Sequence, residues 1–406
     1  MTQPNRPITI VFIPDPLLAH TVTSSGKGGT FEMVQSFGSE SVKQLFNAAP
    51  GCWLEIEQAA YLPEAWRMLS ESREDLSISV VGMDYPQFMG AIMSRSEEDS
   101  SWRTLLDADL IVGGAALNED FMDSLYLLNS DPQCLERYLK GMAELEEHTP
   151  VWPPPNVLLW TGDKVILANT LTRIAAEITH TLRPPTHRLP PNPIGPASAG
   201  FVRKRGYSAH ADHVVFDRPT GVNSVDDLPL IPSPSGSALI DESWHEQEFI
   251  DTLHDPRFGE LRCYVVGGEM RRVLKTVPVD GELRCELVED DHPTLEQYYK
   301  SYRGHNSEDQ DPTPRHHSGL HELKTFVLAT HAALVEKEKQ ALGLTRTDLE
   351  VLCRIDVGIW MVESAAHYFV LEVERGLTTC MFAYEDQEGA AANIEEVAKV
   401  LLDWVA

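Results

Sequence analysis

The sequence predicts an α/β N-terminal domain followed by a larger, strand-rich region, and three observations lead there. Short β-branched runs alternate with helix-like stretches up to about residue 150. A proline cluster, Pro153 to Pro155, then stops the first unit. After it, strand-like segments dominate, separated by two turn-rich loops. At 406 residues the chain exceeds what one hydrophobic core usually fills.

Taken in order, ITIVFIPD from Ile8, LSISVVGMD from Leu76 and ADLIVGGA around Leu110 read as strands ending in turn residues. SESVKQLFNAA and AYLPEAWRMLSE read as the intervening helices, so residues 1–150 are expected to carry a parallel sheet. Val165, Leu167, Leu171 and Ile174 carry helical apolar spacing beyond the boundary. RPPTHRLPPNPIGPAS, residues 183–198, is too rich in proline for a helix or central strand and is expected to be an extended loop. A second polar loop is expected over residues 303–319. Between them AGFVRKRGY, HVVFD, ELRCYVVGGEMRRVLKTVPV and LRCELVED read as strands, the third folding back at Gly267-Gly268 as a hairpin. A helix follows from Leu320 to about Leu342, with Leu323, Val327 and Leu334 on one face and Gly343 as its stop.

Against 33 Lys and Arg stand 62 Asp and Glu, a formal charge of −29, which repels phosphate backbones and anionic membranes; nucleic acid and membrane partners are not expected. The charge itself indicates solubility rather than a ligand. The six cysteines are scattered singly, without zinc or redox spacing, which fits a reducing, cytoplasmic setting. The first residues lack the basic and apolar segments of a leader, and no apolar window approaches the roughly 18 residues of a membrane span.

Several segments invite a chemical reading and have a plainer one. SSGKGGTF, residues 24–31, has glycines but not the order of a phosphate loop, and reads as an ordinary loop. His210 with His213, and His316 with His317, lack a partner cluster at zinc spacing. The segment CRIDVGIWMVESAAHYFVLEVERG is different, because it places carboxylates inside apolar strands. Alternation puts Arg354 and Asp356 on one face of the first strand, and Glu372 and Glu374 on one face of the second. Paired as a hairpin, the strands bring three carboxylates together, an arrangement that favours a hard cation such as Mg²⁺ shared with phosphate. The alternative is a solvated sheet face carrying unrelated charges.

The order Asp163-Lys164, VRKRGYS around Lys204, HEQEFI, GELRCYVVGG, RID and LEVE resembles the ATP-grasp superfamily over about residues 150–406. The resemblance implies an α+β ATP-grasp fold with two subdomains clamping ATP: residues 151–250 as a lid-like first subdomain and 251–406 as the metal and substrate side. Residues 1–150 resemble, less specifically, the domain that precedes it. Lys164 and Lys204 are implied as phosphate lysines, with Arg205 as a possible substitute for the second. The segment after Lys204 departs from the family's glycine-rich loop, leaving Ser208 and His210 as polar contacts. Gln247, Glu248, Phe249 and Ile250 are implied at the adenine hinge, and Glu260 at the ribose. Arg262 and Arg354 are implied on the substrate side, the latter steadying the tetrahedral intermediate. Asp356, Glu372 and Glu374 are implied as metal ligands, Glu374 standing where many members carry Asn and Arg375 offsetting its charge.

The resemblance thus implies a carboxylate–amine ligase using ATP and Mg²⁺ on small-molecule substrates through an acyl phosphate, with a homodimer as a possible assembly. An ATP-grasp kinase is a second reading, disfavoured by the scarcity of basic clusters for an anionic substrate, and a nucleotide-binding protein without turnover is a third.

Overall fold

The computed structural model describes residues 7–13, 56–118, 132–190, 197–206, 214–216, 244–279, 282–303, 319–363, 365–376, 379 and 387–405. The helix expected at SESVKQLFNAA, the loop at residues 24–31, the contacts of Ser208 and the four histidines His210, His213, His316 and His317 lie outside them, as does nearly all of the second polar loop.

The N-terminal unit is a parallel sheet of β1 (Ile8–Ile13), β2 (Ile78–Gly82), β3 (Leu110–Gly113) and β4 (Val151–Trp152), in the order β2-β1-β3-β4. β1 and β3 are central, and Ile10 to Ile13 and Leu110 to Val112 are fully buried, the continuous apolar run of a strand covered on both faces. Connecting helices are α1 (Ile56–Ser72), α2 (Tyr85–Ser94), α3 (Ser100–Leu106) and α4 (Pro132–Glu146). Asp84 and Asp99 cap α2 and α3 through side-chain oxygens. Leu62, Ala65, Trp66 and Leu69 form the helical stripe that α1 buries. At the end of β3 a side chain is impossible: Gly113 has φ +111°, and a Cβ there would lie 1.9 Å from the Ile13 carbonyl oxygen.

The chain leaves this sheet through β4, and α5 (Pro155–Thr161) begins with proline at its first turn. Then α6 (Lys164–Ile174) starts at Asp163, whose carboxylate accepts from the Val165 amide at 2.8 Å. The second sheet is antiparallel, in the order β5-β8-β6-β7, from β5 (Thr186–Leu189), β6 (Phe201–Arg205), β7 (Val214–Phe216) and β8 (Trp244–Glu248). β5 corrects the expected loop over residues 183–198. The four residues between Pro185 and Pro190 retain their amides and pair with β8 at the sheet edge, where flanking prolines are tolerated.

The third sheet has the order β11-β10-β9-β12-β13 and is antiparallel throughout: β9 (Glu260–Val266), β10 (Glu269–Val279), β11 (Glu282–Leu287), β12 (Leu352–Val362) and β13 (Ala365–Arg375). The Gly267-Gly268 hairpin is as expected, both glycines at positive φ, and β10 runs to Val279. Helices α7 (Pro293–Arg303) and α8 (Gly319–Leu342) follow, and Gly343 at φ +66° ends α8. Leu323, Val327 and Leu334 of α8 pack with Leu261, Cys263, Ile355 and Val357 in one core. The opposite face is divided along its length. One end, with Tyr264, Val266 and Leu352, joins a core with Ile10, Phe12, Trp66 and, from α9 (Gln387–Leu402), Ile394, Val397 and Leu401. The other end carries charged side chains.

Candidate active site

Strand register builds the charged end. Arg262 on β9, Asp356 on β12 and Glu372 on β13 are successive cross-strand partners, and so are Tyr264, Arg354 and Glu374. The expected convergence of Asp356 with Glu372, and of Arg354 with Glu374, is therefore a property of the pairing. A register shift after Asp356 takes up Leu371 and ends the regular row.

Within the rows, cations hold the acids. Arg354 grips Asp356 as a fork, at 2.7 and 2.8 Å, with both side chains buried, and reaches Glu374 at 3.8 Å. Arg262 bonds Glu260 at 2.7 Å. Lys164, the first residue of α6, reaches Glu372 at 2.5 Å. Among the described residues no three acidic, histidine or cysteine side chains converge as a metal would require. Arg354 and Lys164 occupy the oxygens that such a cage would turn inward. The donor chemistry still fits a hard cation, since Asp356, Glu372 and Glu374 offer only carboxylate oxygens on one sheet face.

The electrostatics show which acids are neutralised. Burial works against ionised Glu372, yet Lys164 and Lys204 hold its carboxyl at about 2. Glu374 is pushed up to about 7 by burial and then by the charge of Glu372. Asp356 is also raised, by burial first, in spite of Arg354.

The second sheet supplies the opposite wall. Lys204 on β6 is the cross-strand partner of His245 on β8, and Val202 that of Gln247, so these side chains share the face turned towards Lys164 and Glu372. Burial lowers the Lys204 ammonium first, with Lys164 adding to it and Glu372 opposing, and among the described residues that ammonium makes no hydrogen bond or ion pair. Alternation sends Arg205 to the other face, so it does not stand in for Lys204. Arg203 and Glu246 form a buried ion pair there, at 2.8 Å. Arg183 ties the two walls, donating to the carbonyls of Ala168 at 2.8 Å and Val370 at 3.3 Å.

The expected hinge follows β8. The Glu248 amide is spent on the Pro185 carbonyl and the Phe249 amide on Gly200, while Phe249 stacks on His254 at 5.3 Å. The amide of Ile250 makes no hydrogen bond among the described residues.

Arg375 does not offset Glu374. It faces away from the acidic row and bonds Glu338 of α8 at 2.8 Å and Asp348 at 2.9 Å, all three buried. A small cavity lies on the side of Arg375 towards β3, lined also by Gly114, Tyr138 and Pro153. Sequence reasoning did not single out His245, although its spacing of two from Gln247 in HEQEFI places both on one strand face. The Arg375–Glu338–Asp348 cluster had no local signal, because its members come from three elements.

No family model matches the chain, and no curated protein matches it. Among solved structures it is similar to the D-cycloserine synthetase DcsG, at 12% identity and TM-score 0.47, covering 97% of this chain and 99% of that one. It is similar to a D-alanine–D-alanine ligase from Bacillus anthracis complexed with ATP, at 12% and 0.47, covering 98% of each. It is also similar to the ATP-grasp ligase PsnB complexed with minimal precursor, Mg and ADP, at 12% and 0.43, covering 98% of this chain and 97% of that one.

Proposed function

We propose that the protein is an ATP-dependent carboxylate–amine ligase of the ATP-grasp kind, forming an amide through an acyl phosphate with release of ADP and phosphate. The observation that carries this reading is the convergence of Lys164 and Lys204, from separate elements, on Glu372 of the acidic row. A lysine at the first position of a helix opposes the helix dipole, and a buried ammonium without a partner costs stability. Both are understandable where a polyphosphate binds.

In this reading Lys164 and Lys204 bind the phosphates, Gln247, Glu248, Phe249 and Ile250 enclose the adenine, and Glu260 accepts from the ribose. Mg²⁺, held by Asp356, Glu372 and Glu374, would neutralise phosphate charge when bound. Arg262 releases Glu260 to orient the substrate carboxylate against the γ-phosphate. Arg354, fixed by Asp356, stabilises the oxyanion as the amine attacks the acyl carbon. The N-terminal unit would contribute part of the acceptor site.

Calorimetry of ATP binding with and without Mg²⁺ tests the reading, on the native chain and on Asp356→Asn and Glu372→Gln. ADP and phosphate release against a panel of carboxylates and amines follows in the same samples. Metal-dependent binding lost in both variants, with amine-dependent ADP formation, is the expected result. Absence of nucleotide binding by the native chain overturns it.

A further inference from the structure

His245 lies on the same wall of the second sheet as Lys204, and the reading above gives it no role. It is 5% exposed, and its Nδ1 is buried without a hydrogen-bond partner. Buried polar atoms are nearly always paired, so an orphan nitrogen beside an unpartnered ammonium marks a position where a ligand atom completes the bonding. Alternation fixes its place: one side-chain step from Gln247 at the hinge, and directly opposite Lys204. The ligand atom there belongs to the part of the nucleotide between the base and the outer phosphates.

Resting on the proposed function, we propose that His245 is a third basic contact to the phosphate chain of the bound nucleotide, joined through Nδ1 and acting beside Lys164 and Lys204. The surroundings explain why the imidazole is neutral without ligand. Burial first, then Lys204, Lys164 and Arg183, lower it to about 3 against the opposing charge of Glu372. Arg188, its partner on β5, adds positive charge at the sheet edge. A phosphate reverses the sign of this field. At about 4 Å and an effective dielectric of about 20, one negative charge raises a neighbouring pKa by roughly three units. The ring then takes a proton from solvent as the nucleotide binds, and Nδ1–H donates to a phosphate oxygen.

ATP titrations in buffers of different ionisation enthalpy, on the full chain with Mg²⁺ from pH 5 to 8, measure this proton uptake. Native protein is expected to take up a proton and to gain about tenfold in affinity from pH 8 to 5 beyond any change in His245→Gln. The variant is expected to bind at least fivefold more weakly at pH 5, with that uptake gone. Nitrogen NMR of the native His245 ring provides a check that needs no variant: neutral when free, imidazolium with ATP bound. Native binding with a neutral ring and unchanged His245→Gln affinity overturns the inference alone. A native chain that binds no ATP overturns the proposed function and the inference with it.

Discussion

At the scale of single residues, the site stores unfavourable electrostatics that a ligand would relieve. Lys204 is the clearest case, a buried ammonium lowered by its surroundings and unpaired among the described residues. Replacing it by methionine keeps the stem and removes the charge, so Lys204→Met is expected to raise the melting temperature while weakening ATP binding at least tenfold. A lower melting temperature would show that the charge stabilises the fold. His245 provides a pH test. Its folded value, about 3, lies below the unfolded value near 6.5, so the unfolded chain binds more protons between them. Stability of the ligand-free protein should fall as pH drops through that window, and His245→Gln should flatten this part of a pH series of denaturant midpoints.

At the scale of elements, strand alternation assigns neighbouring residues to unrelated tasks. Glu374 joins the acidic row, whereas Arg375, next in sequence, crosses to the α8 side and binds Glu338 and Asp348. Removing the arginine leaves two buried carboxylates unpaired, so Arg375→Met is expected to cost about 3–5 kcal/mol in chemical denaturation. Glu338→Gln should cost less than about 1 kcal/mol, since burial has already raised Glu338 to about 6 and Asp348 still pairs the arginine. Equal losses would mean that Glu338 carries the pair. β12 is equally constrained at Gly358, where a Cβ would lie 2.4 Å from Phe369 Cζ. Gly358→Ala is expected to destabilise by about 1–3 kcal/mol and, by shifting β12, to lower ATP affinity as well.

At the scale of the whole molecule, the N-terminal sheet and the C-terminal helix share one core. Trp66 of α1 is fully buried and donates to the Ala398 carbonyl of α9 at 3.1 Å. Trp66→Ala is expected to cost about 3–5 kcal/mol, and a chain ending before α9 should lose the near-ultraviolet signal of the N-terminal sheet as well. A fragment of residues 1–150 that folds with full cooperativity would contradict this coupling. Lys164 and Arg183 each tie α6 or its following segment to β13.

By itself the sequence determined the periodicities: the β-branched runs of the first sheet, the Gly267-Gly268 hairpin, the α8 stripe ending at Gly343, and the faces of β12 and β13 that carry Arg354, Asp356, Glu372 and Glu374. These follow from contacts between near neighbours and from the period of two, which any chain reads locally. The tertiary structure alone decided that Arg375 belongs to Glu338 and Asp348, that Pro185 and Pro190 bracket an edge strand, and that His245 and Lys204 lie near Glu372. Partners brought together from distant positions depend on how sheets pack, and burial, which sets the charge state of each group there, exists only once they have packed.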